Sequence, residues 1–303
     1  MSIIQAINIS KRFGTTQAVD NLSFTIQPGE IFGLLGPNGA GKTTTIRMIL
    51  DIFRPDSGEI SIFGGPMEEA KKNLIGYLPE ERGLYQDIPL NRCLTFLASL
   101  KGMDDQKINA LLDDYLEQFD LKGVRDKKVK ELSKGMQQKA QLITALIHDP
   151  KLVIIDEPFT SLDPVNTEMV KDILETKRNE GKSIIMSTHQ MNQVEELCDR
   201  ILLIDHGRRI LYGTLQEIQD QFSSKDILVT PLNTLPETIE GVTEIRKFNG
   251  RFRLVLEENA KPNQILKSLI NKGVEINEFE VAVPPLNEIF IQVVSKQEGN
   301  KNE

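Results

Sequence analysis

The segment Gly36 to Thr43 reads GPNGAGKT and fixes more of the fold than any other stretch of the 303 residues. It matches the pattern G-x-x-x-x-G-K-S/T at every fixed position, follows the apolar run IFGLL and precedes TTIRMILDIF, which places it between a strand and a helix. Gly36, Gly39 and Gly41 allow successive backbone N–H groups to curl around phosphate oxygens, with Pro37, Asn38 and Ala40 completing the loop. The helix that follows turns its positive N-terminal end toward the same anion. Lys42 adds a point charge for the β- and γ-phosphates, the Thr43 hydroxyl is a Mg²⁺ ligand, and Thr44 continues the cradle. A chance Gly-rich turn before a helix is the alternative. It is disfavoured because motif and context are both satisfied.

The strand-like runs Ile31–Leu35, Leu152–Asp156, Ser183–Ser187 and Ile201–Asp205 are nearly all apolar, as parallel strands covered on both faces require. Between about Glu80 and Pro150 such runs are missing and the spacing is helical: Ile108, Leu111, Leu112, Tyr115, Leu116 and Phe119 recur in threes and fours. This reads as a helical insert in an α/β core. Asp156-Glu157 ends the run LVIID, where a carboxylate at the carboxyl end of a parallel strand points into the ligand crevice. Asp156 can hold Mg²⁺ and Glu157 can polarise an attacking water. Alone, a strand ending in Asp-Glu is ordinary surface chemistry; beside a phosphate loop the two carboxylates become candidates for the metal and the base.

Beyond Gly213 the pattern changes to that of an α+β tail. Leu215–Phe222 reads as a helix, Ser223-Ser224 as a hinge, and Ile227–Thr230, Thr243–Phe248 and Arg251–Leu256 as strands, the last two joined at Asn249-Gly250 by a hairpin turn. Gln264–Asn271 reads as a helix, Val274–Val283 as a strand and Leu286 to about Val294 as an amphipathic helix. The expected division is residues 1–222, with the helical insert at about 80–150, then 223–295, and a disordered tail over 296–303. No apolar run approaches the roughly 18 residues of a membrane span, and the first residues do not read as a signal peptide. Two cysteines cannot build a disulfide framework, which favours a reducing compartment. Lys plus Arg number 36 against 44 Asp plus Glu, a net charge of −8, so a general nucleic-acid binder is not expected.

The residues between and after the two phosphate-site motifs narrow the field. LSKGMQQK at Leu132 to Lys139 resembles the signature motif of ABC-type ATPases, usually LSGGQ. Ser161-Leu162-Asp163, after Asp156-Glu157-Pro158, resembles the D-loop of that family, and His189, after the run Ser183–Ser187, stands where its switch histidine belongs. The resemblance spans residues 3 to about 220. It implies a P-loop NTPase core with an antiparallel β subdomain and a helical subdomain, followed here by a small C-terminal α+β domain. It further implies ATP and Mg²⁺ as cofactors and a head-to-tail dimer, either of this chain or with a related ATPase. In such a dimer Ser133, Lys134, Gly135 and Met136 face the partner's ATP. Phe13 in KRFG matches the aromatic that stacks on adenine, with Val19 beside it; a strand-end core role is the alternative for Phe13. Glu157 and His189 are the implied catalytic pair, and Asp163 belongs to the D-loop.

This sequence departs from the family pattern at three positions. Lys134 replaces Gly and Met136 replaces Gln in the signature, and Glu80 in IGYLPEERGLY occupies the Q-loop glutamine position. Lys134 either adds positive charge near the partner's phosphate or points to solvent; solvent is favoured, because Gly135 carries the close approach. Glu80 is expected to touch the metal with Thr43 and Asp156, since a carboxylate is a stronger Mg²⁺ ligand than an amide. The resemblance implies hydrolysis coupled to a separate integral membrane permease, with export favoured over import. That places the chain in the cytoplasm, peripheral on the inner face of the membrane. Leu84, Tyr85 and Ile88 are candidate permease contacts, although for any single one of them packing inside the helical subdomain is the favoured reading. The tail VAVPPLNEIFIQVV resembles the end of the C-terminal domain of bacterial exporters in the sodium-exporter and antibiotic-resistance branches. Its stripe of Leu286, Ile289, Phe290, Val293 and Val294 packs on its own sheet or joins two subunits. The rival function is a soluble, regulatory ABC ATPase.

Overall fold

In the computed structural model, residues 2–81, 83–222, 226–248, 250–257 and 259–299 are described. Contacts divide the chain into two compact units, Met1–Leu215 and Gln216–Glu303. The division falls after the first residue of the helix at 215–222, where the sequence reading draws it after that helix. Residues Ser223, Ser224 and Asn249, read as hinge and turn, lie outside the described residues.

The first unit is built on a six-stranded sheet in the order β5-β6-β7-β3-β8-β9. β3 (Ile31–Leu35), β5 (Ile75–Leu78), β6 (Leu152–Asp156), β7 (Ser183–Thr188) and β8 (Arg200–Asp205) run parallel, and β9 (Arg208–Thr214) returns antiparallel on β8. Every residue of β3, β6 and β7 is buried, as two-sided cover of a parallel sheet demands. A second, antiparallel sheet has the order β2-β1-β4, from β1 (Ile4–Phe13), β2 (Thr16–Ile26) and β4 (Ser57–Ile62). Ile4, Ile9, Leu22 and Ile26 of this sheet share one apolar core with Phe32 and Leu34 of β3.

α1 (Lys42–Ile49) follows β3, and the short α2 (Glu69–Lys72) precedes β5. The helical insert comprises α3 (Leu90–Ser99), α4 (Asp105–Gln118) and α5 (Lys134–Leu146), joined by two single 3₁₀ turns. Asp104 caps α4 by accepting the Lys107 N–H at 2.8 Å, so that Ile108, Leu112, Tyr115 and Leu116 turn inward together. α6 (Pro164–Asn179) and α7 (Met191–Leu197) flank β7 in sequence.

α8 (Leu215–Phe222) leads into the second unit. That unit holds a four-stranded antiparallel sheet in the order β11-β12-β10-β13, made of β10 (Ile227–Pro231), β11 (Val242–Phe248), β12 (Arg251–Leu256) and β13 (Ile276–Val281). α9 (Pro262–Asn271) contributes Ile265 and Leu269 to a core with Ile227, Val229 and Leu254. β13 is shorter than the expected run from Val274, because Val274 is itself buried in that core ahead of the strand. α10 (Leu286–Gly299) continues past Val294 into the segment expected to be disordered; residues 300–303 lie outside the described residues. Leu286 and Ile289 are buried, whereas Phe290, Val293 and Val294 are half-buried. Among the described residues no helix is long and apolar enough to cross a membrane.

Candidate nucleotide site

The phosphate loop leaves β3 at the carboxyl end of the parallel sheet, the edge where open α/β folds bind ligands. Its backbone is held by a neighbouring turn and by a bond of its own. Gly207 donates its N–H to the Ala40 carbonyl at 2.9 Å and accepts the Asp20 N–H at 2.9 Å, which ties the β8–β9 turn and β2 to the loop. Ala40 donates in turn to the Pro37 carbonyl at 3.1 Å. Gly36 and Gly41 have φ of 151° and 109°, and a Cβ on either would run into a carbonyl oxygen, that of Ile204 or of Ala18. Only glycine fits both positions. Gly41 is the N-cap of α1, and neither a capping side chain nor a first-turn acid competes for the helix's positive end.

A cleft of about 310 Å³ opens over this loop. Asn38, Gly39, Gly41, Lys42, Thr43 and Thr44 line one side, Thr16, Gln17 and Ala18 of β2 another, and Glu80, Asp156 and Glu157 the rest. Lys42 is buried, and its ammonium donates to the carbonyls of Gly36 at 2.8 Å and Pro37 at 3.2 Å. Burial lowers its pKa, opposed by the charges of Glu157, Asp156 and Glu80. The Thr43 hydroxyl donates to Asp156 Oδ2 at 2.9 Å, and the Ser187 hydroxyl donates to Asp156 Oδ1. Register explains this meeting: β7 lies between β3 and β6, with Ser187 opposite Asp156 and Thr188 opposite Leu35. Among the described residues no three His, Cys, Asp or Glu side chains form a metal cage. A hydroxyl and separated carboxylates suit Mg²⁺, which keeps water and takes phosphate oxygens for the remainder of its shell.

Glu157 follows β6 in the left-handed region, with φ of 54°. Its N–H donates to the Ser187 carbonyl at 3.0 Å, which redirects the chain. Few non-glycine residues adopt this conformation, and at functional sites it aims a side chain. Here His189 Nδ1 donates to Glu157 Oε1 at 2.8 Å, and the Thr188 hydroxyl donates to Oε2 at 3.3 Å. With Glu157 as acceptor, a neutral His189 carries its proton on Nδ1 and leaves Nε2 as an acceptor. Glu157 is nearly buried, whereas the His189 side chain is about half exposed.

The signature segment lies at the start of α5. Ser133 caps that helix by accepting the Met136 N–H at 3.2 Å. Ser133 and Lys134 are exposed, while Gly135 and Met136 are half-buried. A Cβ on Gly135 would stand 3.1 Å from the Ser161 carbonyl oxygen, so small size brings the helix start close to the D-loop. Asp163 caps α6, accepting from the Asn166 N–H at 2.9 Å, with Pro164 at the first helical position. That N–H bond, with a second from the Asn166 side chain, holds the Asp163 carboxyl below the usual range. Asn166 also accepts from Lys139 at 2.9 Å, tying α6 to α5.

One sequence expectation changes, and between two alternatives the structure separates the residues. Val19 has no exposed surface; it belongs to the core beneath the loop, and the neighbouring residue that lines the cleft is Ala18. Leu84 is likewise buried and Ile88 half-buried, which leaves Tyr85, 51% exposed, as the open member of the expected permease contacts. Phe13 is 42% exposed at the end of β1, opposite Thr16. Ser187, Thr188 and Gln138 went unread in the sequence. Gln138 donates from α5 to the Pro158 carbonyl at 3.1 Å and reaches the Glu157 carbonyl at 3.4 Å. The signal for Ser187 and Thr188 was polarity at the end of an apolar strand. Gln138 carried none.

Comparison with known proteins agrees with this geometry. The family described as ABC transporter matches residues 19–160, and the C-terminal domain of ATP-binding protein DrrA1-3-like matches 213–294. An uncharacterized ABC transporter ATP-binding protein of Bacillus subtilis, YhaQ, is 41% identical over 95% of this chain and 97% of its own length. Nod factor export ATP-binding protein I of Burkholderia lata is 41% identical over 68% of this chain and 69% of its own. A solved ATP-binding subunit of an ABC transporter superposes with a TM-score of 0.68 at 30% identity, over 73% of this chain and 93% of that one. A phosphate loop, a carboxylate pair, a histidine and a capped signature helix on this sheet, together with near full-length similarity to YhaQ, place the chain in the ABC transporter ATP-binding family, with a DrrA-like C-terminal domain.

Proposed function

We propose that this chain hydrolyses MgATP and drives a separate membrane permease, most consistently an exporter. The observation that carries the reading is the Glu157–His189 pair at the edge of the phosphate cleft. A buried carboxylate bonded on both oxygens is held in one orientation, as a general base for a water requires. His189, exposed on its other side, steadies that base and offers Nε2 as an acceptor to the water. Lys42, now bonded to loop carbonyls, exchanges them for phosphate oxygens. Thr43, Asp156 and Glu80 would hold Mg²⁺, which neutralises charge on the phosphates when bound. Ser133 and Gly135 lie on exposed or half-exposed surface, so a second copy can bring them to its partner's nucleotide in a head-to-tail dimer.

Export is supported by the Nod factor export relative. A permease needs a docking surface, and an exposed patch on the helical insert suits one. Tyr85 meets Phe96 edge-on at 5.6 Å, and Leu100 stands exposed at the end of α3. Nearby in the chain, Lys101 borders a cleft of about 290 Å³ with Ile52, Met67 and Tyr77. Affinity purification of the tagged chain from detergent-solubilised membranes tests the proposal. One integral membrane protein is expected in stoichiometric amount, with faster ATP turnover in the complex. A chain that purifies alone and turns over equally fast would favour the soluble regulatory reading.

A further inference from the structure

Phe13 stands at the rim of the nucleotide cleft, because its partner across the β1–β2 hairpin is Thr16, which lines that cleft. A ring at a strand end, followed by Gly14 with φ of 57°, has little of its own to hold it. Two groups from the segment after α1 supply the hold. Phe53 meets the Phe13 ring edge-on, with centroids 5.2 Å apart and planes at 68°. Asp56 accepts from Lys11 Nζ at 2.7 Å through Oδ1 and from the Arg12 N–H at 2.7 Å through Oδ2. It therefore pins the two residues that precede Phe13, at a register irregularity in β1. Lys11, also bonded to the Arg54 carbonyl at 2.7 Å, lies 5.8 Å over the Phe13 ring.

The segment itself is anchored to the phosphate-loop helix. Phe53 donates its N–H to the Arg47 carbonyl of α1 at 3.1 Å, and the Arg47 guanidinium lies 5.8 Å over the Phe53 ring. One continuous stretch thus runs from the phosphate cradle through α1 to the aromatic at the cleft's rim. We infer that Phe53 and Asp56 are positioning residues for nucleotide-base binding, holding the Phe13 ring at a fixed distance from the phosphate loop so that base and phosphates are engaged together. The inference rests on Phe13 being the base platform. Preorganising a ring avoids the cost of ordering it on binding, so losing the hold is expected to weaken affinity by about 2- to 10-fold.

The test is nucleotide binding to the full chain, with MgATP and inorganic tripolyphosphate titrated in parallel by calorimetry. Phe53→Leu and Asp56→Asn are each expected to weaken MgATP by about 2- to 10-fold while tripolyphosphate binds as before. Phe53→Tyr, which keeps the ring, should restore MgATP affinity, and Phe53→Leu should cost nothing further in a Phe13→Leu background. If Phe13→Leu weakens MgATP but Phe53→Leu and Asp56→Asn do not, the positioning role is wrong. Equal losses for tripolyphosphate would also overturn it, since the segment would then support only the phosphate loop. An unchanged MgATP affinity in Phe13→Leu would remove the platform itself.

Discussion

Replacing Glu157 by Gln separates binding from chemistry at this site. The amide matches the carboxylate in size and can keep one acceptor toward His189 and another group toward Thr188, both within 3.3 Å of the present oxygens. Packing therefore changes little, and the expected loss of stability is under about 1 kcal/mol, or a shift of less than about 4 °C for a domain of this size. The catalytic loss is far larger. A positioned general base contributes about 10²- to 10⁴-fold, which corresponds to about 3–5 kcal/mol of barrier. Phosphate release by the purified chain should fall by that factor, while MgATP affinity, carried by Lys42, Thr43 and the loop N–H groups, stays within about threefold. Because bound ATP is no longer spent, the variant should also accumulate as a dimer, read by light scattering as a doubling of the 34.2 kDa mass. Hydrolysis within fivefold of the unmodified chain would refute Glu157 as the base. A parallel collapse of nucleotide binding would mean that the residue supports the cleft instead.

Glu80→Gln removes the carboxylate proposed for the metal, so the Mg²⁺ concentration that half-saturates turnover should rise by at least about threefold; superimposable Mg²⁺ titrations would take Glu80 out of the metal's shell. Gly41→Ala forces a Cβ against the Ala18 carbonyl at a φ of 109°, and should abolish nucleotide binding and cost about 1–3 kcal/mol in chemical denaturation. Cys93 and Cys198 are both buried, and burial raises both thiols, Cys198 the more strongly. Raised thiols are protonated at neutral pH, so neither should react with a thiol reagent until the chain unfolds. In the second unit, Asp226 is buried against Arg253, bonded at 2.9 Å. Asp226→Ala removes one charged partner of a guanidinium that keeps Glu288 at 4.0 Å and should lower stability by about 1.5–3 kcal/mol, as the midpoint of urea unfolding reports.

Much of the site was legible because its motifs are local. GPNGAGKT and Asp156-Glu157 depend on short runs whose chemistry follows from residue type, and the signature and D-loop segments were carried by the family resemblance. β3 and β6 were delimited correctly for the same reason: unbroken apolar runs ended by glycine or a carboxylate. What the sequence left open depends on pairing. The strands β1 and β2 alternate irregularly, with polar residues such as Asn8, Ser10 and Asn21 at their irregularities, and only register against β4 and the core shows which side faces in. Val19 was misread as a cleft residue for that reason, since a one-residue change of face separates it from Ala18.

The sequence by itself determined that this chain builds a phosphate cradle on a parallel sheet, carries a carboxylate pair at the adjoining edge and ends in a separate α+β unit. Those features follow from periodicity, glycine conformations and helix capping within a few residues of one another. The tertiary structure decided which groups act together. β7 inserts between the phosphate-loop strand and the Asp156 strand, so Ser187 reaches Asp156, and His189, just past that strand, reaches Glu157. The α1–Phe53–Phe13 contacts likewise join segments that no local pattern connects. Strand order and register set those distances, and they are properties of the whole sheet rather than of any one strand.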